Sequence, residues 1–115
     1  MEIKERTIES TIVFSLSGRL DAASAPQLAK GIEKYLSVTP LNLAIEMKDI
    51  TFIDSTGLSI LVQGLKRCRE RQGNLAIFGI QQTVRIIFEL TRLDKAFDIY
   101  INEAEALNGI THKSK

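Results

Sequence analysis

Three features of the sequence predict an α/β domain, with a mixed β-sheet of four to five strands and α-helices packed on it. Apolar residues recur with a period of two in some segments and near 3.6 in others, which marks strands and helices in turn. The order reads strand, strand, helix, strand, helix, strand, helix, strand, helix. Such alternation favours parallel strand pairs joined by helices that cross the sheet. The first two strands are close enough to form an antiparallel hairpin, so the sheet is expected to be mixed. A chain of 115 residues suits one core. One domain is expected over residues 1–110, with a disordered tail at 111–115.

Each element has a local reason. Ile3 to Ile8 is a weaker strand candidate, with Glu9-Ser10 as the turn after it. Ile12 to Leu16 (IVFSL) is dense in β-branched and aromatic residues, and Ser17-Gly18 is expected to end it. From Ala25 to Leu36, the residues Leu28, Ile32, Tyr35 and Leu36 share one helical face. Ser24 is the expected N-cap there, and Pro26 falls in the first turn, where proline is tolerated. Leu41 to Glu46 alternates as a buried strand does, and Ile50 to Ile53 leads into a polar junction. Leu58, Leu61, Val62, Leu65 and Cys68 then recur at helical spacing, and the helix should stop near Gly73. Leu75 to Phe78 is a short strand closed by Gly79. Val84, Ile87, Phe88 and Leu90 mark a third helix. Phe97 to Ile101 is a last short strand, and Glu103 to Leu107 a short helix that Asn108-Gly109 should end.

The charge balance excludes some functions. Fifteen basic and fourteen acidic side chains give a formal charge of +1. That offers no general attraction to nucleic acid or an anionic membrane. The run from Lys66 to Arg71 (KRCRER) is the densest basic stretch, and at helical spacing it is best explained as a solvated face. Cys68 is the single cysteine, so no internal disulfide is possible, which fits a reducing compartment. The amino terminus lacks an apolar signal core, and no apolar run approaches the roughly 18 residues of a membrane span. A soluble cytoplasmic protein without membrane insertion is expected.

The chemistry concentrates in Phe52 to Leu61 (FIDSTGLSIL). Here a strand hands over to a helix, and functional groups gather beyond the carboxyl ends of strands in open α/β sheets. Asp54, Ser55 and Thr56 are all N-cap types, because their oxygens accept from unpaired amides of the first turn. Capping is the plainest explanation, yet one cap suffices and three such residues leave a hydroxyl over. A hydrolase nucleophile would need a base. His112 is the single histidine and lies in the expected tail, and the G-x-S-x-G elbow is absent. A lysine base stays open. No zinc set, calcium loop or phosphate-cradling glycine motif occurs, so no metal and no cofactor are expected. The remaining role is passive: a hydroxyl that accepts a phosphoryl group. A phosphate adds about 1.5 to 2 negative charges, and a helix N-terminus tolerates an anion.

Phe52-Ile53-Asp54-Ser55-Thr56-Gly57-Leu58 resembles the phosphorylation-site motif of bacterial anti-sigma-factor antagonists, which are single STAS domains. Gly18-Arg19-Leu20-Asp21 resembles the Gly-x-Leu-Asp segment after an early strand in that family. The likeness covers roughly residues 5 to 108 in element order and spacing. It implies a mixed sheet with helices and a mechanism of partner switching. The unmodified antagonist binds an anti-sigma factor, which is itself a serine kinase, and so frees a sigma factor. Phosphorylation releases the complex, and a PP2C-type phosphatase resets it. By this resemblance Ser55 is the phosphorylated residue, and Arg19, Asp21, Asp54, Ser55, Thr56, Gly57, Leu58 and Ser59 lie at or beside the partner-binding face. Ser59 departs from the glycine or basic residue of many members, which bears on partner identity. The alternative is a STAS subunit of a lipid transporter or stress-signalling scaffold that undergoes no phosphorylation.

Overall fold

The computed structural model describes residues 1–113, with side chains described through residue 110. Five strands form one sheet in the order β1-β2-β3-β4-β5. They are β1 (Glu2–Ile8), β2 (Thr11–Leu20), β3 (Asn42–Ile53), β4 (Leu75–Phe78) and β5 (Asp98–Tyr100). β1 pairs antiparallel with β2, and every other neighbouring pair is parallel. The helices are α1 (Ala25–Glu33), α2 (Ser55–Glu70), α3 (Gln82–Leu90) and α4 (Glu103–Lys113), with a 3₁₀ turn at Leu93–Lys95. The expected mixed α/β architecture is therefore the observed one.

Alternation along the strands divides the apolar residues between two faces. Phe14, Leu16, Leu43, Ile45, Met47, Leu75 and Ile77 meet α1, α2 and α3 in the main core. Val13, Ala44, Ala76 and Phe78 face the other way, against Ala106 and Ile110 of α4. Small residues on that second face let α4 lie close to the sheet. α2 is helical for a simple reason: Leu58, Leu61, Leu65 and Cys68 form one buried stripe. Full burial of each leucine contributes about 1.5–3 kcal/mol. The helix ends where Gln72 turns into the left-handed region (φ 58°) and the Gly73 N–H donates to the Cys68 carbonyl at 2.9 Å.

Beyond shifts of one residue at strand ends, as at β5 (Phe97–Ile101 expected, Asp98–Tyr100 observed), four boundaries differ from the sequence expectation. Ser17-Gly18 does not end β2. The strand runs on to Leu20, because Gly18 takes a φ of 107° and keeps its pairing with Ile50. The two apolar segments around Lys48 are one strand. β3 has 12 residues against the 10 of β2, and the surplus is absorbed at two bulges. α1 stops at Glu33, and Tyr35 and Leu36 lie in turns that follow it. α4 passes straight through Asn108-Gly109, since a bare Cα is what Tyr100 permits: a Cβ at Gly109 would sit 2.0 Å from its hydroxyl. The tail expected at residues 111–115 meets the described part only as the helical backbone through Lys113, and its remainder lies outside the described residues.

Candidate functional site

The second bulge in β3 shapes the site. Gly18 pairs with Ile50 but Arg19 pairs with Phe52, so Thr51 is the extra residue. Bulges re-aim side chains at the rims of sheets. Here the shift leaves Phe52 facing outward while Ile50 and Ile53 stay buried. The Arg19 guanidinium lies over the Phe52 ring, 4.0 Å from its centroid.

Asp54 then joins two segments. Its N–H donates to the Leu20 carbonyl at 3.2 Å. Its Oδ1 accepts from the Gly57 N–H at 2.9 Å and caps α2. Its Oδ2 accepts from the Ala22 N–H at 3.0 Å, in the turn between β2 and α1. One carboxylate therefore fixes the entry of α2 against that turn. The competition among three candidate caps is thus resolved: Asp54 caps, and Ser55 and Thr56 occupy the first turn as exposed residues. No hydrogen bond within the described residues uses either hydroxyl, and Ser59, one turn on, is also exposed.

The neighbouring turn is held by Ser24 and Asp21. Ser24 does not cap α1 with its side chain, contrary to expectation. Its hydroxyl donates to the Arg19 carbonyl at 2.7 Å and accepts from the Asp21 N–H at 3.0 Å. The Ser24 N–H in turn donates to Asp21 Oδ1 at 3.2 Å. Partial desolvation raises the Asp21 pKa, but the hydrogen bonds from Ser24 and the nearby Arg19 outweigh it, so the carboxyl stays below its ordinary value.

Gly57 and Leu58 lie beneath the face. Leu58 is 8% exposed and belongs to the core. A Cβ on Gly57 would stand 2.4 Å from the Leu20 carbonyl oxygen and 2.9 Å from Leu20 Cγ. Glycine at this place therefore lets α2 approach β2 closely. The surface itself is made by Arg19, Asp21, Phe52, Asp54, Ser55, Thr56 and Ser59. Phe52 is the residue that sequence reasoning left out of the site. The available signal was weak: in Ile50-Thr51-Phe52-Ile53 no alternation places both isoleucines on one face, which hints at a bulge.

Other reactive groups lie elsewhere. Burial pushes the Cys68 thiol up to about 12, so it stays protonated and inert. Arg69 and Arg71 of the basic run donate to the Ala96 and Leu36 carbonyls and pin loops. Among the described residues no group of three or more His, Cys, Asp or Glu side chains is placed to hold a metal. No helix in that part is long and apolar enough to cross a membrane.

An α/β sheet with three helices on one face, one on the other, and an exposed serine at the start of the second helix defines a class. A family model described as STAS domain matches residues 2–106. The chain belongs to the STAS-domain family, in its anti-sigma-factor-antagonist branch. An anti-sigma-B factor antagonist of Listeria monocytogenes is 34% identical over 95% of this chain and 94% of that protein. A crystal structure of an anti-sigma factor antagonist from Mycobacterium paratuberculosis superposes with a TM-score of 0.85, at 25% identity, covering 96% of this chain and 93% of that one. The Bacillus cell fate determinant SpoIIAA in its phosphorylated form shares the fold, with a TM-score of 0.73 at 19% identity, over 95% of this chain and 99% of that one.

Proposed function

We propose that this protein is an anti-sigma-factor antagonist controlled by phosphorylation of Ser55. Its unphosphorylated form binds an anti-sigma factor that is also a serine kinase, and a sigma factor is freed. The kinase transfers the γ-phosphoryl group of ATP to the Ser55 hydroxyl, ADP leaves, and the complex separates. A PP2C-type phosphatase hydrolyses the phosphoserine and returns the protein to its binding form. Such work belongs to the cytoplasm, where transcription takes place. The chain itself supplies a binding face and an acceptor hydroxyl and performs no catalysis.

One observation carries this reading: Asp54, not Ser55, caps α2. The fold makes no use of the Ser55 hydroxyl, which sits exposed on the first turn of a 16-residue helix. The first-turn amides and the helix dipole favour an anion there by about 0.3–1 kcal/mol. The domain therefore has no strong reason to rearrange when Ser55 is phosphorylated. A partner complementary to a neutral hydroxyl does have a reason to leave. It would have to desolvate nearly two charges beside Asp54, and like charges across an interface can cost several kcal/mol.

The test uses the serine-kinase anti-sigma factors of the organism that carries this chain. Each is incubated with the protein and ATP, and intact mass and phosphopeptide mapping follow. A gain of one phosphate on Ser55 is expected. Phosphate on Thr56 or Ser59, or none with any of these kinases, would overturn the assignment.

A further inference from the structure

We infer that Arg19, held over the Phe52 ring, selects the partner by taking a carboxylate of the partner's surface on the open edge of its guanidinium. The inference rests on the reading of this face as the one that binds an anti-sigma factor.

Three charged side chains stand on the face, and the fold already uses two of them. Asp54 is bonded to the Ala22 and Gly57 amides. Asp21 is bonded to Ser24. Arg19 is different. Its side chain is 60% exposed, and among the described residues its one ion pair is with Asp21, at 3.5 Å and through Nε. That leaves the two Nη groups for an acceptor from outside. A guanidinium offers a planar fork that matches a carboxylate in two parallel bonds.

The fork is also positioned in advance. A free arginine side chain has considerable rotamer freedom, which is lost when it is fixed. The contact with Phe52 removes part of that freedom before any partner arrives. The contact exists because the Thr51 bulge sets Phe52 opposite Arg19, and the Thr51 hydroxyl donates to the Gly18 carbonyl at 3.3 Å. Phe52 remains 37% exposed, so its rim adds apolar area beside the charge. Arginine is enriched at binding hot spots, and Phe and Arg are both enriched in interfaces. The partner chemistry that fits is an Asp or Glu next to an apolar side chain. The same face with an acid in place of Arg19 would prefer a basic partner, which makes this position a specificity element.

The experiment measures affinity for the anti-sigma factor that binds the wild-type chain, by titration calorimetry at several salt concentrations. Arg19→Ala and Phe52→Ala should each weaken binding tenfold or more, and Arg19→Glu a hundredfold or more. Arg19→Lys should fall between wild type and Arg19→Ala. The salt dependence of the wild type should flatten in Arg19→Ala. Lys66→Ala is the control, because it removes the same charge from an exposed position about 16 Å along α2 from Ser55. It should leave affinity within twofold. Circular dichroism identifies any variant that fails to fold, and Arg19→Lys keeps the test alive if Phe52→Ala does so. In phosphorylation kinetics the Arg19 variants should raise KM and leave kcat unchanged. If the wild type binds and Arg19→Ala and Arg19→Glu match it, this inference fails while the reading of the face stands. If Lys66→Ala weakens binding as much as Arg19→Ala, general charge is at work and the inference fails. If the wild type binds no anti-sigma factor, both fail.

Discussion

Asp54→Ala and Ser55→Ala differ by one position and should differ sharply in stability. Asp54→Ala deletes an N-cap, for which losses run at about 0.5–2 kcal/mol. It also deletes the bond from the Ala22 N–H at 3.0 Å, which ties the turn after β2 to α2. A typical net hydrogen bond contributes about 0.5–1.5 kcal/mol, and the half-buried position of Asp54 lets water replace part of it. Together the loss should be about 1–3 kcal/mol, or roughly 4–12 °C in Tm for a domain of this size. Ser55→Ala removes an exposed hydroxyl without a bond in the described residues. Its effect should stay within about 0.5 kcal/mol. Asp54→Asn should fall between the two, because asparagine caps as well as aspartate but its single acceptor oxygen cannot serve both the Gly57 and the Ala22 amides. Guanidinium unfolding followed by circular dichroism measures all three, with an unchanged m-value as the sign that the two states are the same. If Ser55→Ala costs as much as Asp54→Ala, the hydroxyl has a structural duty and the separation of cap from switch is wrong.

Two further outcomes follow from the packing and charge of the same fold. Gly57→Ala should lose about 1–3 kcal/mol, because its Cβ meets the Leu20 backbone oxygen at 2.4 Å and backbone yields little. Gly64→Ala should be near neutral: its Cβ meets only the ends of Ile32 and Leu75 side chains, both at 3.1 Å, and alanine favours the helix by up to about 1 kcal/mol. Thermal unfolding that ranked Gly64→Ala below Gly57→Ala would contradict this. Glu5 ties β1 to the end of α1, accepting from Lys34 at 2.8 Å and from the Tyr35 hydroxyl at 2.6 Å. The Lys34 bond, then the Tyr35 bond, hold its carboxyl below the ordinary value of 4.5. A depressed folded pKa gives stability that is present above 4.5 and is lost as pH falls through the lower folded value. The wild type should therefore be more stable than Glu5→Gln at neutral pH and lose that advantage in acid. A difference in denaturation midpoint that stayed constant into acid would refute the role of the ion pair.

The order of elements was legible because most of them carry their own period. β4 was bounded correctly, since Leu75 to Phe78 is flanked by Asn74 and Gly79, and the α2 stripe is buried at Leu58, Leu61, Leu65 and Cys68, although Val62 of the same expected stripe is exposed. What could not be read depends on partners far away in the chain. Gly18 looks like a strand breaker, and only its pairing with Ile50 of β3 shows that it continues the strand. Asn108-Gly109 looks like a helix stop, and only the contact with Tyr100 explains why glycine stands there. The site divides in the same way. Asp54, Ser55 and Thr56 announce a helix start, but which of them caps depends on the geometry of Gly57 and Ala22. Phe52 escaped notice because its exposure comes from a bulge, which is a property of two strands at once.

The central claim is that a phosphate on Ser55 switches a face whose fold does not need that hydroxyl. Its most direct test is the affinity of the anti-sigma factor for the protein before and after stoichiometric phosphorylation of Ser55, measured by titration calorimetry at one salt concentration. The phosphorylated form should bind at least 100-fold more weakly, which is about 2.7 kcal/mol. Equal affinity of the two forms, with the phosphate confirmed on Ser55, would contradict the account.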